Sequence, residues 1–493
     1  MCSQQSTVNS QQSGGVNFDI QFSLPLSKSV RARELVLDAL NGREIEIEDE
    51  NDDIFVLSRA LKQCTMHNAQ CTIFAISENN QACLDCRAEQ KSQPKGVIFA
   101  ISENNQACLD CRAEQKSRQK GVMHNAQLSD VLDNSQLSTL NSQLSTLNLN
   151  ASGTALRLLT AYCAVTEGEF VLTGSKRLCE RPIKPLVDVL RGMGAEIEYV
   201  EKEGFAPLKI VGRKLKGGLV RLDASLSSQF ASALMLIADK VDGGIEIEYE
   251  GDVASKSYIS LTKSVIEKYK RGVRYSGEKD WSSATVWYAA MAVLKEGKFL
   301  LEGLSLDSCQ PDRAIVEIFE KLGVRTMAVE NGVAIESSGC VVDKFVLDCK
   351  NMPDAVMYIV VAACLLGVEF EISGVGTLRV KESDRIEALM SEMRKCGYLI
   401  QCIMHNAQPM VLSLGEKCTI FVEHESRHKE VIHNLQLDGQ VPRIKTYNDH
   451  RIAMSMAVVG LVREIEIENQ EVVNKSYPEF WREFDRVKSI CCK

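Results

Sequence analysis

GVGTLRVKESDRIEALMSEMRKCG, from Gly374 to Gly397, is the stretch from which the fold can be read. It opens on a glycine after a strand-like apolar run and crosses a short polar loop that ends in Arg385. Beyond the arginine, Ile386, Leu389, Met390 and Met393 fall at the i, i+3, i+4, i+7 spacing of one buried helical face, and a second glycine closes the unit. The same template recurs from Gly174 to Gly194 and from Gly303 to Gly323, where Arg181 and Arg313 close the loops. There the buried faces are Ile183/Leu186/Val187/Leu190 and Ile315/Ile318/Phe319/Leu322. A looser copy runs from Gly251 through Tyr258 to Gly272, and another begins at Ser27, with Gly42 after its helix. One strand-loop-helix unit repeated in this way predicts an α/β protein of β-α-β units whose helix-entry loops can converge on one cleft. Such loops favour anions, because the first turn of a helix presents unpaired N–H groups and a partial positive charge.

The 493 residues, 45% of them hydrophobic, exceed one core and predict two lobes. A net charge of −9 argues against broad electrostatic attraction to nucleic acid or an anionic membrane, so an anionic substrate needs a locally basic pocket. Met1 to Gly15 is Ser/Gln-rich, without the apolar core of a secretory peptide or the arginines of a transit peptide, and a cytoplasmic location with a disordered 1–15 tail is expected. The longest apolar run, Ala355 to Val368, is shorter than a bilayer span and reads as a buried helix. The 18 cysteines of so long a chain read as reduced thiols.

Residues 41–150 break the order. Ile73–Ser92 reappears unchanged as Ile98–Ser117, and Asn134–Leu140 as Asn141–Leu147. A repeated fold needs only a repeated pattern, so letter-for-letter identity marks duplication or insertion, and parts of the region are expected to be loop or poorly ordered.

Several segments carry chemistry. Ser27-Lys28-Ser29 stands at a helix start, as do Gly153-Thr154 with Arg157, Glu180-Arg181-Pro182 and Ser227-Ser228-Gln229. For each, helix capping is the plain reading and an anion site the functional one. Asp354 precedes the apolar helix as a candidate cap. Arg379 to Arg385 packs five charges into a loop equivalent to Glu180-Arg181, which places them towards the same cleft rather than solvent. Tyr447-Asn448-Asp449-His450-Arg451 precedes another apolar helix, Ile452 to Val462.

In this order, and with Lys475-Ser476-Tyr477-Pro478, these segments resemble the 5-enolpyruvylshikimate-3-phosphate (EPSP) synthase family over about residues 20–40 and 150–490. Asp280-Trp281-Ser282-Ser283 and Tyr288 are similar to its Bacteroidetes-like branch. The resemblance implies a two-lobed α/β fold of six β-α-β-type repeats, an inside-out α/β barrel with helices inside each lobe and sheets outside. The N-terminal lobe is then 27–277, and the C-terminal lobe 16–26 plus 278–493. It implies transfer of the carboxyvinyl group of phosphoenolpyruvate to the 5-hydroxyl of shikimate 3-phosphate, by a monomer with no cofactor or metal. Phosphoenolpyruvate would be bound by Lys28, Gly153, Thr154, Arg181, Gln229, Arg385, Arg451 and Lys475. Shikimate 3-phosphate would be bound by Lys28, Ser29, Arg33, Ser227, Ser228, Gln229, Ser255, Tyr258, Asp354 and Lys381. Asp354 is the candidate base, Glu382 the partner of the methylene proton, and Lys28 the donor to the bridging or leaving oxygen; the three roles are exchangeable among these residues. The chain departs from the family pattern at Ala151-Ser152, Arg31-Ala32 and Thr377.

Other patterns compete. A transferase acting on UDP-N-acetylglucosamine would share fold and chemistry, but the Arg379–Arg385 and Asn448–Arg451 segments favour the shikimate enzyme. Cys83-x-x-Cys86 and Cys108-x-x-Cys111 suggest a zinc-binding, catalytically inactive scaffold, although both pairs belong to the duplicated segment. His424-Glu425-Ser-Arg-His428 fits a metalloprotease pattern without a convincing third ligand.

Overall fold

A computed structural model describes residues 18–47, 52–78, 145–224, 227–251, 253, 255–274, 277–404, 418–422 and 441–491. The Cys83/Cys86 and Cys108/Cys111 pairs, His424, His428 and the 1–15 tail lie outside the described residues.

The helices are of two kinds. Gly153–Val165, Trp281–Leu294 and Val356–Leu366 are buried on nearly every face, as their almost uniformly apolar sequences require, and form the inside of the molecule. Lys184–Gly192 and Arg385–Lys395 are amphipathic and turn Leu186/Val187/Leu190 and Ile386/Leu389/Met393 inward. In the Gly303 copy the helix is shorter than the spacing predicts. A 3₁₀ turn, Pro311–Ala314, precedes Ile315–Lys321, and Leu322 opens the next strand while remaining buried.

Three four-stranded sheets share one plan: a parallel pair followed by two antiparallel strands. One sheet orders Ser145–Asn148, Gly168–Thr173, Leu208–Gly212 and Glu196–Tyr199. The second orders Lys344–Asp348, Glu369–Ser373, Cys418–Val422 and Ile400–Met404. The third takes its first strand from the other end of the chain: Ile20–Ser23 pairs in parallel with Lys298–Glu302, beside Gly332–Val341 and Leu322–Val329. Two-stranded parallel sheets, Lys216–Asp223 with Asp242–Glu250 and Arg443–Ile444 with Glu466–Ile467, complete the described strands.

The buried side chains divide into two cores. One runs from Val30 to Val265; the other takes Ile20, Phe22 and Leu24 together with residues from Trp281 to Val487. The chain passes between them twice, and the crossovers are paired by Ser27 N–H to the Glu278 carbonyl (2.9 Å) and Asp280 N–H to the Pro25 carbonyl (3.0 Å).

Part of the 41–150 region is regular. Helix Asp52–Glu78 packs Ile54, Leu57, Leu61 and Cys64 into the first core. Strand Ser145–Asn148, which begins in the duplicated Asn141–Leu147 copy and ends one residue past it, alternates buried and exposed residues and pairs in parallel with Gly168–Thr173. A two-residue alternation suffices for a strand whatever its origin. Cys64, Cys163, Cys179, Cys309, Cys340, Cys349, Cys364, Cys396 and Cys402 are free thiols. Among the described residues no helix is long and apolar enough to cross a membrane.

Candidate active site

Five helices begin at one cavity: Lys28, Gly153, Ser228, Arg385 and His450 are first residues of helices, and all five line it. Their first turns bring several sets of unpaired N–H groups and partial positive charges to one place. The capping reading is settled locally. Ser152, not Thr154, caps its helix by accepting from Ala155 N–H, which leaves the Thr154 hydroxyl to accept from Gln229 Nε2 at 3.0 Å. Ser227 accepts from Gln229 N–H, and Asp449 from Arg451 N–H. Ser27 makes no side-chain cap, and neither does Asp354, whose carboxylate is taken up by cations.

Arg385 is the hub. Only 1% exposed, it donates from Nε to Asp449 Oδ2 (2.7 Å), from Nη1 to Asp354 Oδ1 (2.7 Å) and from Nη2 to Glu382 Oε2 (2.9 Å). Lys381 and Arg451 also approach Asp354, at 3.3 and 3.6 Å, and Lys475 bonds the other Glu382 oxygen at 3.0 Å. Across the cleft, Lys28 pairs with Asp53 at 2.9 Å. Burial pushes the Asp354 carboxyl up, but Lys381, Arg451 and Arg385 outweigh it and hold it well below the usual carboxylate range. Lys475, Arg385 and Arg181 overcome burial at Glu382 in the same way. Both groups are therefore ionised at neutral pH.

Several arginine donors in the cleft remain open even where the cation has a nearby carboxylate, as Arg451 has in Asp354. Arg157 Nε and Nη1, Arg181 Nε and Arg451 Nε are buried without a hydrogen-bond partner among the described residues. Burial, then Arg181, drives the Arg157 guanidinium well below its ordinary pKa. Gly153 makes this crowding possible, because a Cβ there would lie 2.2 Å from Arg181 Nη1 and 2.3 Å from Arg157 Nη1. Buried donors of this kind cost free energy until something accepts from them, and two guanidinium groups side by side require an anion.

A family model for EPSP synthase (3-phosphoshikimate 1-carboxyvinyltransferase) matches residues 117–280 and 267–484. The chain belongs to the EPSP synthase family. The 3-phosphoshikimate 1-carboxyvinyltransferase of Bacteroides fragilis is 35% identical over 379 residues, covering 73% of this chain and 87% of the relative. That of Syntrophobacter fumaroxidans is 36% identical over 370 residues, covering 69% and 79%. A solved EPSP synthase from Acinetobacter baumannii superposes with a TM-score of 0.55 over 96% of both chains at 19% identity, a likeness of fold.

Of the EPSP synthase site residues expected from sequence, Lys28, Ser29, Gly153, Thr154, Arg181, Ser227, Ser228, Gln229, Ser255, Tyr258, Asp354, Lys381, Glu382, Arg385 and Arg451 line the one cavity. Lys475 stands behind Glu382. Arg33 does not line it: the residue is 3% exposed, and its guanidinium donates to Thr262 Oγ1, the Ser29 carbonyl and Ser232 Oγ. Arg313, which closes the third repeat loop, pairs instead with Glu317 on an exposed face. Arg379 and Asp384 also leave the cleft group and pair with each other at 3.0 Å. Asp53, Arg157 and His450 line the cavity although the resemblance assigns none of them to a substrate. The sequence singles out Arg157 only within the Gly153-Thr154 helix start, one turn beyond Gly153 on the same helix face.

The lobes also touch across the cleft. Ser255 Oγ donates to the Lys350 carbonyl at 3.0 Å, and Arg177 Nη2 to the Lys381 carbonyl at 3.1 Å. The loop carrying Lys381 and Glu382 is thus fastened from the opposite side.

Proposed function

We propose that the chain transfers the enolpyruvyl group of phosphoenolpyruvate to the 5-hydroxyl of shikimate 3-phosphate, releasing phosphate, in the cleft organised by Arg385. The observation that carries this reading is the set of buried arginine N–H groups, on Arg157, Arg181 and Arg451, that find no acceptor among the described residues, beside a cluster of ionised carboxylates. Cations await a multiply anionic substrate, and the carboxylates supply proton acceptors next to them.

Phosphoenolpyruvate is held by Arg181, Arg385, Arg451, Lys28 and Lys475, with Gly153, Thr154 and Gln229 against it. Shikimate 3-phosphate lies along Ser29, Ser227, Ser228, Gln229, Ser255, Tyr258, Asp354 and Lys381. Arg33 supports the Ser29 backbone from behind. Asp354, ionised and facing the cleft, takes the proton of the 5-hydroxyl as its oxygen bonds to C2 of phosphoenolpyruvate and the C3 methylene gains a proton. Glu382 is also held ionised by Lys475, Arg385 and Arg181, so it handles the methylene proton only after first taking one up. Lys28 protonates the departing phosphate oxygen as the C2–O bond breaks and the methyl group returns its proton to the Glu382 carboxylate. The lobes are taken as 27–277 and 16–26 plus 278–493, supported by the division of the buried cores, and the protein as a cytoplasmic monomer.

The test is phosphate release by the purified chain with both substrates, against each alone. Release that needs both supports the assignment; none, from a protein with a cooperative melting transition, sinks it.

A further inference from the structure

Behind the cleft, where the second crossover enters the C-terminal core, lies a carboxylate that the mechanism does not use. Asp312, 2% exposed, sits in the Pro311–Ala314 turn and accepts a short hydrogen bond from the Ser282 hydroxyl. Its Oδ1 is buried with no partner among the described residues. The turn is fixed against helix Trp281–Leu294 by Gln310, which accepts from Trp281 N–H (3.1 Å) and donates to Glu278 and to the Lys279 carbonyl (both 2.7 Å). The Ser282 carbonyl in turn accepts from Arg451 Nη1 at 3.3 Å, and Arg451 Nη2 reaches Asp354 at 3.6 Å. The chain of contacts runs Asp312, Ser282, Arg451, Asp354, and ends at the reacting groups.

We propose that Asp312 is a positioning residue for the transfer reaction: through Ser282 it fixes the carbonyl that anchors Arg451, and its negative charge holds that guanidinium at the rear of the cleft with Nε turned to phosphoenolpyruvate. This rests on the assignment of Arg451 to that substrate. Arg451 is 4% exposed, and after burial, which opposes its charge, the groups that favour the cation include Asp354, Tyr358, Asp312 and Asp280. Without Asp312, Asp354 would have to balance Arg451 while also serving Lys381, Arg385 and the substrate hydroxyl. A second carboxylate outside the reaction space lets the first remain available.

The placement has a pH signature. Burial and then Asp354 push Asp312 up to about 6, against the pull of Arg451 and the Ser282 bond, with Asp280 adding to the rise. Tyr258, from the N-terminal lobe, and Cys349 also face it, and both are held well above their ordinary values by burial and neighbouring carboxylates. Asp354 and Glu382 lie far below 6, and burial with Arg451, Lys28 and Lys475 keeps His450 neutral, so none of these titrates there. As pH falls through about 6, Asp312 loses its charge and Arg451 its rear counter-ion.

The experiment compares wild type, Asp312→Asn and Ser282→Ala in steady-state phosphate release with both substrates, from pH 5.5 to 8. Asp312→Asn keeps the shape and removes the charge. It is expected to raise KM for phosphoenolpyruvate roughly tenfold at pH 7.5, the scale of one charged hydrogen bond, with KM for shikimate 3-phosphate changing less than about twofold. The wild-type rise in that KM near pH 6, beyond the substrate's own phosphate titration near pH ~6, is absent from the variant. Ser282→Ala moves the same KM in the same direction by a smaller factor, and carries the test if Asp312→Asn does not fold. An active wild type with an unchanged phosphoenolpyruvate KM in the folded variants, or a loss shared equally by every parameter, overturns the positioning role alone. A wild type that releases no phosphate overturns the functional assignment and this inference with it.

Discussion

Gly153→Ala tests the crowded cation pair with a single added methyl group. The new Cβ would stand 2.2 Å from Arg181 Nη1, 2.3 Å from Arg157 Nη1 and 2.6 Å from Arg181 Cζ, where real contacts begin near 3.0 Å. One or both guanidinium groups must therefore withdraw by close to an ångström. The atoms met are the far ends of flexible side chains, so the backbone need not move and the fold should tolerate the change. Binding should not: a shift of about 1 Å in a substrate-positioning group can cost on the order of a hundredfold. KM for phosphoenolpyruvate is expected to rise by roughly ten- to a hundredfold, while the thermal midpoint stays within a few degrees. Gly212→Ala is the structural control. Its Cβ would meet the Thr166 carbonyl oxygen at 1.6 Å, a backbone clash far from the cleft, so it should lower the melting temperature sharply. Steady-state kinetics and a melting curve on both variants decide the matter. A Gly153→Ala enzyme with a normal phosphoenolpyruvate KM would refute the claim that Arg157 and Arg181 crowd the substrate site.

Asp354→Asn keeps the volume but removes the proton acceptor, and should lower kcat by roughly a hundredfold or more without loss of fold; a folded variant with near-normal kcat rejects Asp354 as the base. Because the folded-state pKa of Asp354 is depressed, its contribution to stability is present above the ordinary carboxylate range and lost as pH falls through the depressed value, so Asp354→Asn should melt with a flatter pH dependence on the acid side. Arg385→Met leaves Asp354, Glu382 and Asp449 without their shared cation, and removal of one partner from such a buried cluster costs about 3–5 kcal/mol. Urea denaturation would show a much lower midpoint, and an unchanged one would mean that the carboxylates find other partners.

The sequence by itself determined the repeating unit and the residue types at its entry loops. The i, i+3, i+4, i+7 faces after Arg181 and Arg385 became helices, because apolar periodicity is a local property read along the chain. The run from Ala355 became an internal helix because it is apolar on every side and leaves no face for solvent. Most of the cleft residues stand at helix starts, where serine and glycine are ordinary caps, so it is their order along the chain, resembling that of the family, that singles them out.

Tertiary structure decided what that local grammar leaves open. Three loops end in arginine, but only Arg181 and Arg385 reach the cleft, while Arg313 finds Glu317 at the surface. Arg33 and Arg157 are both buried helix arginines; one is consumed by Ser29, Ser232 and Thr262, and the other is left with open donors. The joining of Ile20–Ser23 to strand Lys298–Glu302, and of Asp312 to Arg451 through Ser282, links residues far apart in the chain. Such pairings depend on which surfaces the two cores leave facing each other. That is settled by burial over the whole molecule and carries no spacing in the sequence.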